Sequence, residues 1–292
     1  MTEHEIRAIV EQVLRGMPSK VSPAKDASEA AAPGHSAESE SLPDIMQTDL
    51  RHQYLVSAPH DQAAFLSMKE RTPARIGVGR AGARYRTETL LRFQADHAAA
   101  QDAVFSDVPE DFLRELKLPV YQTACGSREE FLTRPDKGRT FPAETLKAIR
   151  DSIPEDAKVV LYAADGLSSS AVTANASDIL PVIQKGLEGA GIKTNAPFFV
   201  KFGRVATMDQ IGDGLPVDVV CVLLGERPGL VTAESMSAYI AYRPTVGMAE
   251  SRRTVLANIH RGGTPAVEAG AHIVDLIQMM LERRLSGIEL PV

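Results

Sequence analysis

Three short stretches carry residues that can hold a ligand. G-E-R-P-G at 225–229 sets a carboxylate and a guanidinium at the tip of a turn made by two glycines and a proline. D-G-L-S-S-S at 165–170 offers a carboxylate and three hydroxyls. If a helix starts there, its free N–H groups can hold a phosphate or amide oxygen, and the same serines can equally serve only as helix caps. G-R-V at 203–205 adds a second arginine beside a glycine.

Other stretches are weaker. Residues 74–86 read A-R-I-G-V-G-R-A-G-A-R-Y-R, and Gly77, Gly79 and Gly82 match the G-x-G-x-x-G spacing of a dinucleotide loop. No apolar run of strand length precedes them, and Arg80, Arg84 and Arg86 make the segment more basic than such a loop requires. It reads as an arginine-rich lead into a helix, able to meet an anionic group or a partner subunit, or only a solvated turn. The polar turn R-P-D-K-G at 134–138 is a surface loop or an interface. N-I-H-R-G-G at 258–263 departs from the D-x-H-x-x-G of base-off cobalamin proteins by Asn for Asp. Asn258 is the poorer acceptor for orienting a ligating His260, so a packed or loop-anchoring histidine is the default. There is no G-x-S-x-G elbow and no serine with a histidine close in sequence. Such a chain suits a subunit that helps hold a large ligand while another chain does the chemistry.

The elements that must position these loops follow from periodicity. Residues 219–224 form an unbroken apolar run rich in β-branched side chains, the mark of a strand covered on both faces. Strands at 158–164 and 198–202 also run into glycine-containing loops, and 236–242 is a further possible strand. Helices are expected from about 169, at 207–212 and at 266–285, the last with Thr264 as N-cap and Pro265 at its first position. The alternation predicts an α/β fold, a Rossmann-like parallel sheet with flanking helices, whose ligands bind outside the carboxyl ends of the strands. The expected layout is a mainly helical subdomain at 45–157, including helices at 87–103 and 142–152, then the sheet domain at 158–292.

Ahead of both lies an amphipathic helix at 1–17. Thr2 and Glu5 have capping-box spacing, and Ile6, Ile9, Val10, Val13, Leu14 and Met17 share one face. Residues 18–44, rich in Ala, Ser, Glu and Pro, are expected to be a disordered linker. A tethered helix with an apolar stripe docks onto something else or folds back on its own domain.

At 292 residues and 44% apolar, the chain can bury a sizeable core. Its net charge of −6 gives no bulk attraction to nucleic acid. Two distant cysteines make no disulfide or zinc framework, so a reducing cytoplasm is expected, and Cys221 belongs to the core strand. No apolar stretch approaches a membrane span.

In order along 73–288, I-G-V-G-R-A-G-A-R-Y-R-T-E-T-L-L-R-F-Q-A-D-H (76–97), L-T-R-P-D-K-G (132–138), D-G-L-S (165–168), F-F-V-K-F-G-R-V (198–205), D-Q-I-G (209–212), V-V-C-V-L-L-G-E-R-P-G (219–229) and N-I-H-R-G-G-T-P (258–265) resemble the small subunit of ethanolamine ammonia-lyase. The resemblance implies an adenosylcobalamin-dependent lyase that converts ethanolamine to acetaldehyde and ammonia by a radical mechanism. It implies a large TIM-barrel subunit carrying the substrate site, a hetero-oligomer of several large–small pairs, and packaging in a bacterial microcompartment, with residues 1–17 available to a shell protein. It places cobalamin between the subunits, in contact with Val205, Glu226 and Val255, with no catalytic or metal-ligating residue in this chain. At Val255 the family carries cysteine, so a backbone contact would be kept and a side-chain contact altered. Two alternatives stand beside it. One is a stand-alone dinucleotide-binding enzyme, which a strand ahead of Gly77 would favour. The other is a non-catalytic assembly protein of a microcompartment working through 1–17.

Overall fold

The computed structural model describes Ile45, Leu50 and residues 52–72 and 74–291. The helix expected at 1–17 and the linker at 18–44 lie outside the described residues. The fold is α/β, built on a six-stranded, mostly parallel sheet with helices on both faces.

A small hairpin comes first in the chain, β1 (Arg80–Ala81) against β2 (Arg84–Tyr85). The sheet comprises β3 (Val120–Gln122), β4 (Val159–Ala164), β5 (Phe198–Lys201), β6 (Val219–Gly225), β7 (Met236–Tyr242) and β8 (Thr254–Ile259), in the order β3-β5-β4-β6-β7-β8. β3, β5, β4 and β6 are parallel. Every residue of β4 and β6 is buried, as their unbroken apolar sequences require.

β7 and β8 depart from the all-parallel expectation. Each is antiparallel to its predecessor. The links at 226–235 and 243–253 are too short for the dozen or more residues and the helix of a parallel crossover, so the chain doubles back. The sheet also begins before residue 158, because edge strand β3 comes from the segment expected to be mainly helical.

The helices sort onto two faces. In chain order they are α1 (Gln62–Glu70), α2 (Thr87–Phe105), α3 (Glu110–Glu115), α4 (Arg128–Thr133), α5 (Ala143–Asp151), α6 (Ser169–Gly189), α7 (Thr207–Gly212) and α8 (Ala266–Arg283). On one face, Leu161, Cys221, Leu223 and Ile240 meet Ile179, Ile183, Ile273 and Ile277 of α6 and α8. Burial pushes the Cys221 thiol up to about 12, which leaves it an inert core residue. On the other face, Val160, Tyr162 and Val222 meet Ile149 of α5 and Met208 and Ile211 of α7, and Tyr162 stacks on Phe198 at 5.1 Å.

One local expectation is corrected. Pro265, not Thr264, occupies the cap position of α8, and no side chain caps that helix. The Thr264 carbonyl instead accepts from His260 N at 3.1 Å, tying the loop to the end of β8. Gly77, Gly79 and Gly82 do not form a dinucleotide loop. Among the described residues no strand precedes Gly77; α1 does, and Gly82 lies between the strands of the β1–β2 hairpin. Gly77 and Gly79 are close-packing positions, where an added Cβ would strike the Phe65 ring and the Leu55 carbonyl.

Candidate functional site

The chain leaves β4 for β5 on one side and later reaches β6 on the other, so the direction of winding reverses at β4. The carboxyl ends of β4 and β6 flank this switch point, where an open α/β sheet leaves a crevice. A cleft of about 440 Å³ opens there, lined by Gly166, Arg204, Val205, Glu226, Tyr239 and Glu250 among others.

Two glycines clasp the loops that form it. Gly166 has φ +54°, and a Cβ on it would lie 2.3 Å from the Gly225 carbonyl oxygen. A Cβ on Gly225 would lie 2.1 Å from the Ser168 carbonyl oxygen and 2.4 Å from that of Asp165. Leu167 N donates to Gly225 O at 2.9 Å across the same contact. The D-G-L-S and G-E-R-P-G motifs are therefore two halves of one close approach. The serines act structurally here. Ser168 caps α6 by accepting from Ala171 N at 3.1 Å and donates to Ala233 O.

Asp165 ties in the third loop. Its buried carboxylate accepts from Arg128 at 2.9 Å and from Gly203 N at 3.1 Å. Loss of solvent raises its pKa despite the Arg128 charge beside it. Arg128 also reaches Asp107 at 2.9 Å and lies over the Phe202 ring at 4.8 Å.

Glu226 is, with Glu250, one of two acids that line the cleft. Its Oε1 accepts from the Tyr239 hydroxyl at 2.8 Å. Burial first, and then the Glu226 carboxylate, raise the pKa of Tyr239, which therefore stays a donor. Among the described residues nothing donates to Oε2 of Glu226, so one oxygen is oriented and the other is open to a ligand donor. Val205 lines the same cleft. Val255 does not line it. It lies opposite Tyr239 in the β7–β8 register, on the same sheet face, with 46% of its surface exposed at the rim.

Further ties hold this rim. Arg253, just before β8, pairs with Asp209 at 2.7 Å, and both are buried. Desolvation raises the pKa of Asp209 against the pull of Arg253. Arg253 also pairs with Glu250. The Gln210 side chain accepts from Phe141 N at 2.8 Å, so D-Q-I-G is a bracing motif.

His260 is a loop anchor. Its Nδ1 accepts from Gly262 N at 3.1 Å, which puts the ring proton on Nε2, 2.8 Å from Asn258 Oδ1. Neither nitrogen is left for a metal. Among the described residues no group of His, Cys, Asp and Glu is placed to hold a metal ion, and no helix is long and apolar enough to cross a membrane.

Val205 and Glu226 thus meet in one cleft, with Val255 one strand away. Sequence reading missed Tyr239, Arg139 and Glu250 as cleft residues. Tyr239 sits inside an apolar strand pattern, and the other two reach the cleft only through tertiary contacts, so no spacing marks them.

The family model described as "Ethanolamine ammonia-lyase light chain (EutC)" matches residues 62–291. A protein of Clostridium tetani called ethanolamine ammonia-lyase small subunit is 54% identical over 291 residues, covering 99% of both chains. Proteins of the same name from Clostridioides difficile and Listeria innocua are 50% and 51% identical over 296 residues, each covering 99% of this chain and all of the relative.

Proposed function

The chain belongs to the ethanolamine ammonia-lyase light-chain family, and from that premise we propose that its strand-end cleft holds one part of an adenosylcobalamin shared with a large TIM-barrel subunit. The observation that carries this reading is Glu226. It stands at the switch point of the sheet with one carboxylate oxygen fixed by Tyr239 and the other open. A corrinoid presents a ring of amide side arms, and a fixed carboxylate accepts from amide N–H groups.

The residues present fit such a group. Glu226 would take an amide arm, Val205 an apolar edge of the ring, and Val255 would cover the rim. Arg204 lines the cleft too, and among the described residues its buried Nε has no hydrogen-bond partner. A corrinoid outsizes this cleft, so the chain can cover only part of it and a second subunit must close the rest. The cofactor, when bound, supplies the radical chemistry that turns ethanolamine into acetaldehyde and ammonia. This chain's residues bind and orient it and keep water from its edge. The substrate site belongs to the large subunit. Several large–small pairs form the complex, and residues 1–17 deliver it to a microcompartment shell.

Co-expression with the large subunit tests the reading. The assembled complex releases ammonia from ethanolamine only when adenosylcobalamin is added, and this chain alone does not. Turnover by the isolated chain, or a complex indifferent to adenosylcobalamin, overturns it.

A further inference from the structure

The L-T-R-P-D-K-G turn has no part in the account so far, yet the residues on either side of it, Phe131 and Arg139, line the same cleft. Within it Arg134 is closed on Asp136 by two hydrogen bonds of 3.0 and 2.8 Å, which lowers the Asp136 carboxyl to about 2. Lys137 is paired with Glu130. The turn ends at Gly138, whose carbonyl accepts from Arg204 N at 2.9 Å. A Cβ on Gly138 would lie 3.2 Å from the Arg204 side chain, so the glycine makes room for it.

Arg139, just after the turn, and Arg204, in the loop after β5, stand apart from these paired cations. Both line the cleft, and among the described residues neither forms an ion pair with a carboxylate. The Arg204 guanidinium lies over the Phe131 ring at 4.4 Å and donates once, to Phe131 O at 2.6 Å. Its Nε is buried without an acceptor. Desolvation, and then the positive charge of Arg139, depress the pKa of Arg204. Of the cleft's acids, Glu250 is paired with Arg253, and among the described residues neither acid forms an ion pair with Arg139 or Arg204. Two guanidiniums that line one cleft, close enough for the charge of Arg139 to act on Arg204, make an anion site of the kind arginine builds for phosphates.

We infer that Arg139 and Arg204 form a subsite for a phosphodiester, the anionic link in the nucleotide arm of cobalamin, opposite the amide-accepting Glu226. The inference rests on the cobalamin reading above. It gives the cleft a polarity, with guanidiniums for the phosphate arm on one wall and a carboxylate for amide arms on the other.

The test uses the complex with the large subunit and two probes, cyanocobalamin and dicyanocobinamide, which lacks the phosphodiester and its base. Binding is followed by the visible absorption of the bound corrinoid. Arg139→Gln changes an exposed side chain and leaves the turn's own pairs intact; Arg204→Gln removes the half-buried one. Each variant is expected to bind cyanocobalamin roughly tenfold more weakly, as for the loss of a charged hydrogen bond, while its affinity for dicyanocobinamide stays at the wild-type value. Wild-type binding of cyanocobalamin is expected to weaken with added inorganic phosphate. Equal losses for both corrinoids, or no loss in Arg139→Gln, overturn the subsite. Impaired subunit assembly with corrinoid affinities unchanged also overturns it, and assigns the arginines to a carboxylate of the large subunit. A wild-type complex that binds neither probe refutes the cobalamin reading itself.

Discussion

Gly225→Ala should damage the molecule out of proportion to one methyl group. The new Cβ would lie 2.1 Å from the Ser168 carbonyl oxygen and 2.4 Å from that of Asp165. Both neighbours are backbone atoms, so no rotamer change relieves the contact. The loops must part by about 1 Å to restore ordinary van der Waals separation. Overpacking of this kind costs about 1–3 kcal/mol. For a domain of this size that is roughly 2–12 °C in Tm. The strain falls on the residue beside Glu226, so corrinoid affinity of the assembled complex should fall together with Tm. Gly229→Ala is the internal control. It lies in the same turn with nothing within 4 Å of the added Cβ, and should melt within a degree or so of wild type. The assay is thermal denaturation of the isolated chain, followed by corrinoid binding in the complex. Equal melting temperatures for the two variants would refute the clasp between the D-G-L-S and G-E-R-P-G loops.

Other perturbations separate bracing from binding. Arg128→Ala leaves the Asp165 carboxylate buried without its cation and should cost about 3–5 kcal/mol; a melting temperature within 2 °C or so of wild type would show that the buried carboxylate does not depend on that cation. Burial raises the pKa of Asp165, so the folded state holds that proton more tightly than the unfolded chain. The stabilisation this provides is full below the ordinary aspartate pKa of about 4 and is lost as pH rises through the raised value. Urea unfolding should therefore show the penalty of Asp165→Asn shrinking as the pH rises above the ordinary aspartate range, and a growing penalty would reverse the sign assigned here. Deletion of residues 1–44 should leave an active complex that no longer enters the microcompartment; lost assembly or a lower melting temperature would show that the segment belongs to the fold.

The strand runs and their terminal loops were legible because burial on both faces imposes continuous apolar sequence. β6 announced itself in V-V-C-V-L-L, and Glu226 stood at its end. β8 was not legible. As an edge strand with one exposed face it mixes Thr254 and Asn258 among its apolar residues, and carries no run to recognise. The antiparallel turn of β7 and β8 lay in the length of two loops, a weaker signal than side-chain pattern. The Arg128–Asp165 pair joins residues 37 positions apart, and the Arg253–Asp209 pair joins residues 44 apart. No local period records such pairings. The G-x-G-x-x-G spacing carried little for the reverse reason, since glycine is also used wherever side chains crowd the backbone, as Phe65 crowds Gly77.

The central claim is that Glu226 holds part of the cofactor, and the affinity of the assembled Glu226→Ala complex for adenosylcobalamin tests it most directly. Removing a carboxylate acceptor of amide hydrogen bonds costs about 1.5–3 kcal/mol, so the dissociation constant should rise roughly 10- to 150-fold. Tyr239→Phe, which removes only the group orienting the carboxylate, should produce a smaller rise. Both complexes should assemble and melt close to wild type, because Glu226 sits at the cleft surface and not in the clasp beneath it. An assembled Glu226→Ala complex with wild-type affinity for adenosylcobalamin would contradict the account.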